Sequence, residues 1–208
     1  MKSTQDVSVF WFRRDLRLDD NAGLYHALRL GNPVLAIFIF DEHILSKLED
    51  KADKRVDFIH RTLEELKGQL RNLGSDLLVF HGTPLDVFKK LVSDYSVKAV
   101  FTNHDYEPYA QERDKQIAEL LKENGSSFQT SKDQCIFEKD EVLKDDGKPY
   151  TVYTPYSKKW KGKVNDFYLS SYPIEKYFGN FLKFGAEHFP SLEEIGFEKT
   201  DVEVPSSE

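Results

Sequence analysis

The sequence predicts an α/β domain built around a doubly wound parallel sheet, and three observations predict it. Short apolar, β-rich runs recur through the first two thirds of the 208 residues. Segments with helical spacing separate one run from the next. The runs are apolar at successive positions, the pattern of strands buried on both faces beneath helices. With 39% hydrophobic and 31% charged residues, the chain can bury one core, and one domain plus a tail is the default expectation.

The first run, Val7–Phe12, is bounded by Arg13 and Arg14; at six residues it is too short for a membrane span or a signal sequence. A second run covers Pro33–Phe40. Between it and the third, Val56, Ile59, Leu63, Leu66, Leu70 and Leu73 recur at intervals of three and four, closed by Gly74 at a helix C-terminus. The third run, Asp76–His81, leads into Thr83 and Pro84, which read as N-cap and first residue of a helix whose inner face is Val87, Phe88, Leu91 and Val92. Ala99–Thr102 is the fourth. Pro108 then starts a helix running through Arg113, Ile117, Leu120 and Leu121 to Gly125, before a fifth strand near Phe128. Right-handed crossovers are expected throughout.

Beyond about Cys135 the alternation stops. Thr154–Val164 reads as one helix with Tyr156 and Trp160 on a shared face, and Lys199–Glu208 is polar without periodicity. Residues 1–134 are therefore expected to form the α/β domain and 135–208 a linker.

Composition narrows the function. Twenty-nine Lys and Arg against 36 Asp and Glu give a net charge of −7, which disfavours a polyanion-binding surface and predicts negligible affinity of this chain for DNA. One cysteine and six dispersed histidines offer neither an internal disulfide nor metal-ligand spacing, so a metal-free, cytoplasmic protein without a membrane partner is expected. No nucleophile elbow or paired-carboxylate constellation stands out, and no catalytic residue is assigned.

In a doubly wound sheet, ligands bind beyond the carboxyl ends of the strands where the strand order reverses. For a flavodoxin-like order, or the related 3-2-1-4-5, the crevice is expected between the first and fourth strands. The segments leaving them are Phe12-Arg13-Arg14-Asp15-Leu16-Arg17 and Asn103-His104-Asp105-Tyr106-Glu107, with Phe38-Ile39-Phe40-Asp41 alongside. Aromatic rings, guanidiniums and carboxylates around one concavity suit a flat heteroaromatic ligand with polar edges. No glycine follows the first strand before Gly23, so a Gly-rich phosphate loop is absent. Plainer roles compete: Arg13, Arg14 and Arg17 around Asp15 can be an ion-pair cluster fixing a turn, Phe38 or Phe40 can be sheet core, and Glu107 can be a helix N-cap.

The same segments carry a resemblance. Phe10-Trp11-Phe12-Arg13-Arg14-Asp15-Leu16-Arg17-Leu18-Asp19-Asp20-Asn21 resembles the opening signature of DNA photolyases and cryptochromes, and Asn103-His104-Asp105-Tyr106-Glu107-Pro108-Tyr109 with Arg113-Asp114 resembles their fourth-strand motif. Phe38–Leu45, Arg55, and Tyr153-Thr154-Pro155-Tyr156 with Trp160 match further stations in the same order. The resemblance implies a Rossmann-like, five-stranded parallel sheet of order 3-2-1-4-5 and a C-terminal linker. It also implies a longer parent, a deoxyribodipyrimidine photolyase, in which a helical domain beyond this one binds FAD and damaged DNA.

In that reading the present chain, inactive alone, binds at most an antenna chromophore: methenyltetrahydrofolate, a deazaflavin or FMN. Phe38 and Phe40 would wall the pocket, Arg55 would stand near its mouth, Asp105 and Glu107 would meet the polar ring edge, and Arg13 or Arg14 would balance their charge. Partners implied are the antenna molecule, the chain's own FAD domain and, through the full-length protein, DNA. A cryptochrome-type photoreceptor module is the alternative, and a free-standing small-ligand or nucleotide binder is a third.

Overall fold

The computed structural model describes residues 5–202. Five parallel strands, β1 (Asp6–Phe12), β2 (Val34–Asp41), β3 (Leu77–Gly82), β4 (Ser96–Asn103) and β5 (Ser127–Ser131), form one sheet of order β3-β2-β1-β4-β5. This is the order implied by the family resemblance, and one of the two doubly wound orders left open by the residues alone. The central strands are buried almost from end to end, whereas β5 at the edge is largely exposed.

Alternation along the strands sorts side chains onto two cores. Phe10, Phe12, Phe38 and Phe40 face α1 (Ala22–Arg29) and, beyond the short α2 (Glu42–Leu45), the long α3 (Lys54–Asn72), whose Val56, Leu63, Leu66 and Leu70 form the predicted stripe. Trp11, Ile37 and Ile39 point the other way, onto α4 (Pro84–Asp94) and α5 (Pro108–Glu123). Thr83 caps α4 through its side chain, accepting from the Asp86 N–H at 3.3 Å.

The stretch read as a linker has no sheet of its own. It contains α6 (Tyr153–Lys163), α7 (Asp166–Leu169) and 3-10 turns at Lys139–Glu141 and Ile174–Asn180. It returns to the domain: Ile174, Phe181, Leu192, Ile195 and Phe197 are buried in the α1/α3 core, and the Leu182 N–H donates to the Val34 carbonyl at 2.8 Å. The return is also held by polar bonds. Asp57 on α3 accepts from both the N–H and the hydroxyl of Thr200 at 2.6 Å, and Arg61 reaches the carbonyls of Thr200 and Val202. These contacts are invisible to a search for periodicity, because each residue is fixed by a partner more than a hundred positions away. Of the polar tail, residues 203–208 lie outside the described residues.

Candidate functional site

The switch point between β1 and β4 is tied by a buried amide knot. The Asn103 side-chain amide donates to the Asp15 carboxylate and, at 2.8 Å, to the Asn21 side-chain oxygen; its own oxygen accepts from the Gly23 N–H at 2.8 Å. Asn21 in turn caps α1, accepting from the Leu24 N–H. The approach is so close that a Cβ on Gly23 would stand 2.7 Å from the Asn103 oxygen and 2.9 Å from the Phe10 ring. Gly23 thus serves helix–strand packing rather than a phosphate.

The arginine cluster expected around Asp15 is not formed. Asp15 is satisfied by the Arg13 backbone N–H and two asparagine amides, while the guanidiniums diverge. Arg13, 7% exposed, pairs with Asp114 on α5 at 2.8 Å and also donates to the Asn103 carbonyl. Burial pulls its guanidinium below the ordinary range, against the pull of Asp114. Arg14, 52% exposed, meets Asp105 at 3.3 Å and Glu107 at 2.6 Å. Here desolvation is outweighed by the two carboxylates, and the guanidinium is raised. Arg17 goes to Asp133.

Above the knot lies a cavity of about 250 Å³. Its apolar wall is Phe12, Phe38, Phe40, Val56 and Ile59, with Ile44 and Leu45 from α2; its polar wall is Arg13, Arg14, Asp41, Asp105 and Arg113, with Trp11 between them. At the small end for ligand sites, this volume admits a fused ring system but not a whole dinucleotide. Larger concavities of about 420 and 730 Å³ lie outside it, one beside α2 and the C-terminal return, sharing Leu45 with it, the other between the end of β5 and residues 167–173.

Of the residues singled out by sequence, five meet on the cavity: Arg13, Arg14, Phe38, Phe40 and Asp105. Glu107 does not line it. It sits at the N-cap position of α5 without bonding a helix N–H, which leaves its carboxylate, 64% exposed, to hold Arg14 from outside. Arg55 points to solvent at 74% exposure and folds back on Asp53, the cap of α3, one residue before the lining Val56.

Sequence reasoning missed the wall behind the arginines. Tyr109 donates its hydroxyl to Asp41 at 2.7 Å, and Arg113 approaches Asp41 at 3.7 Å while lying over the rings of Trp11 and Tyr109. Burial and the Asp41 hydrogen bond raise the Tyr109 phenol well above its ordinary range, keeping it a donor. The available signal was helical spacing: Tyr109 and Arg113 are four apart and share a face of α5.

The sequence profile of the DNA photolyase family matches residues 8–174. The chain belongs to the DNA photolyase family. A deoxyribodipyrimidine photo-lyase from Synechococcus is 37% identical over 155 residues, covering 74% of this chain and 32% of that protein. Cryptochrome-2 of Gallus gallus is 31% identical over 201 residues, covering 91% of this chain and 34% of its own. The photolyase of Sulfolobus tokodaii, described with two FAD molecules and a novel light-harvesting cofactor, superposes with a TM-score of 0.67 at 32% identity, over 76% of this chain and 36% of that one. The chain spans about a third of the length of each. What this photolyase-family chain contributes is their N-terminal α/β domain, with the cavity at its switch point.

Proposed function

We propose that the cavity between β1, β2 and α5 holds the ring system of an antenna chromophore, and that the chain is the light-collecting domain of a deoxyribodipyrimidine photo-lyase. The observation that carries the reading is Asp105. This carboxylate, 11% exposed, opens on a cavity whose opposite side is the Phe38–Phe40 wall, so a flat ring can stack on one side and donate N–H groups on the other. Phe38 and Phe40 stand edge to face, 5.0 Å apart, and Phe40 is backed by His60, which fixes the wall.

Bound there, a deazaflavin, a flavin such as FMN, or methenyltetrahydrofolate would supply light absorption, and the chain's own residues hold its plane and exclude water. Arg13 and Arg14 balance the carboxylates, and Glu107 acts on the ring only through Arg14. The Sulfolobus relative's second FAD supports a flavin-sized occupant. Pyrimidine-dimer splitting by photoexcited reduced FAD, and contact with damaged DNA, belong in this proposal to a helical domain beyond the linker, in a cytoplasmic protein. Among the described residues, no helix is long and apolar enough to cross a membrane.

The test is an absorbance titration with lumiflavin, a deazaflavin and methenyltetrahydrofolate. Saturable binding that weakens at least about tenfold in Asp105→Ala supports the site, that factor being one charge-assisted hydrogen bond; equal affinity of wild type and variant refutes it. For the parent enzyme, light-dependent repair of pyrimidine dimers by a full-length protein carrying this domain is the expected result. A protein that binds FAD and repairs nothing would favour a photoreceptor, the reading that the Gallus gallus cryptochrome supports.

A further inference from the structure

A light-collecting site has a hazard in its own wall. Trp11 lines the cavity, and indole is the protein side chain that gives up an electron most readily to a photoexcited flavin-type ring. One electron leaves the indole, which becomes a radical cation, for the excited ring; recombination returns it, and the excitation is lost as heat. Within a cavity of about 250 Å³, no occupant can be far from Trp11.

The structure places two cations against that indole. The Arg13 guanidinium carbon lies 5.1 Å from the ring centroid and that of Arg113 lies 4.7 Å from it, while Phe88 closes the third side edge-on at 5.2 Å. Trp11 and Arg113 are buried and the Arg13 side chain is 7% exposed, so water screens these charges little. Neither guanidinium is free to leave. Arg13 is clamped by Asp114 and the Asn103 carbonyl, Arg113 by Asp41 and Asp114. A cation over an aromatic face is attracted by the neutral ring and strongly repelled by the same ring carrying a positive charge.

Resting on the antenna reading above, we propose that Arg13 and Arg113 are tuning residues. By standing against Trp11 they make its oxidation unfavourable and so protect the excited state of the chromophore from electron-transfer quenching. This role differs from holding the ligand, since Asp105 already has Arg14 as its cation while Arg13 and Arg113 stand against the indole.

Time-resolved fluorescence of lumiflavin, at saturating concentration on the 208-residue chain, tests this. The Arg113→Gln variant should shorten the bound lifetime by about threefold or more, since a unit charge at such distances biases the radical cation strongly. Arg113→Lys, which keeps the charge, should stay near wild type. Trp11→Phe alone should change little, and Trp11→Phe combined with Arg113→Gln should restore the long lifetime. An unchanged lifetime in Arg113→Gln, an equally short one in Arg113→Lys, or shortening that persists without Trp11 would each overturn the proposal while leaving the binding site intact. Absence of saturable lumiflavin binding to wild type would instead refute the flavin site itself, and the protective role with it. Circular dichroism of each variant separates these outcomes from loss of fold.

Discussion

The floor and the rim of the cavity are both built from arginines and carboxylates, yet they do different physical work. The floor, comprising Asp15, Asn21 and Asn103 with the Arg13–Asp114 and Asp41–Tyr109–Arg113 groups, is mostly buried and knit by hydrogen bonds and ion pairs. Of the rim, Arg14, Glu107 and Arg55 stand largely in water, the two arginines on the carboxylates of Asp105 and Asp53. Buried polar groups are costly to leave unmatched, whereas exposed ion pairs contribute little. The floor therefore sets the shape of the site, and the rim is free to exchange its partners for those of a ligand.

Mutation should separate the two. Asn103→Ala orphans the Gly23 N–H and strips Asp15 and Asn21 of a donor, and a stability loss of about 3 kcal/mol is expected in urea unfolding. A loss below about 1 kcal/mol would break the distinction between floor and rim. Asp41→Asn should cost about 2 kcal/mol, by weakening its bonds to Tyr109 and Arg113. It should also lower the pH at which Tyr109 ionises, read from tyrosinate absorbance; an unmoved titration would show that Asp41 does not hold the phenol.

Acid sharpens the comparison at a carboxylate outside the cavity, Asp57, which clasps the C-terminal return. Burial alone would raise its pKa, but bonds from Arg61 and Thr200 win and hold it at about 2, below its ordinary 3.8. A depressed folded-state pKa contributes stability that is complete above pH 3.8 and lost as pH falls through about 2. Wild type should thus lose about 1–2 kcal/mol more than Asp57→Asn between pH 5 and about pH 2. Parallel profiles would remove Asp57 from the clasp. The smallest effects belong to the rim: Glu107→Gln and Arg55→Ala should change stability by less than about 0.5 kcal/mol. If Glu107→Gln instead matched the floor variants, the rim would be structural.

Legibility followed the range of the determining contact. The paired Phe38 and Phe40 and the loop carboxylate Asp105 were readable because strand alternation and the carboxyl-end rule place them without knowledge of any partner. Glu107 and Arg55 were singled out with them and stand off the cavity. Glu107 stands at the N-cap position of α5, two residues beyond Asp105, and reaches Arg14 from outside, while Asp53 holds Arg55 back. Trp11 was not legible as a site residue, since its closeness to Arg113 requires β1 and α5 to be adjacent.

By itself, the sequence determined the strand and helix succession and the parallel, doubly wound class of the sheet, which follow from local periodicity and from the chirality of crossovers. The order 3-2-1-4-5 was implied by the family resemblance, not by those patterns. Only the tertiary structure decided which arginine is buried and which is exposed, that Ile174, Phe181, Leu192, Ile195 and Phe197 pack into the α1/α3 core, and that an indole has two cations against it. The physical reason is that charge and hydrogen-bond partners are chosen by proximity in space, and the decisive pairs here, Arg13 with Asp114 and Asp57 with Thr200, lie 101 and 143 residues apart.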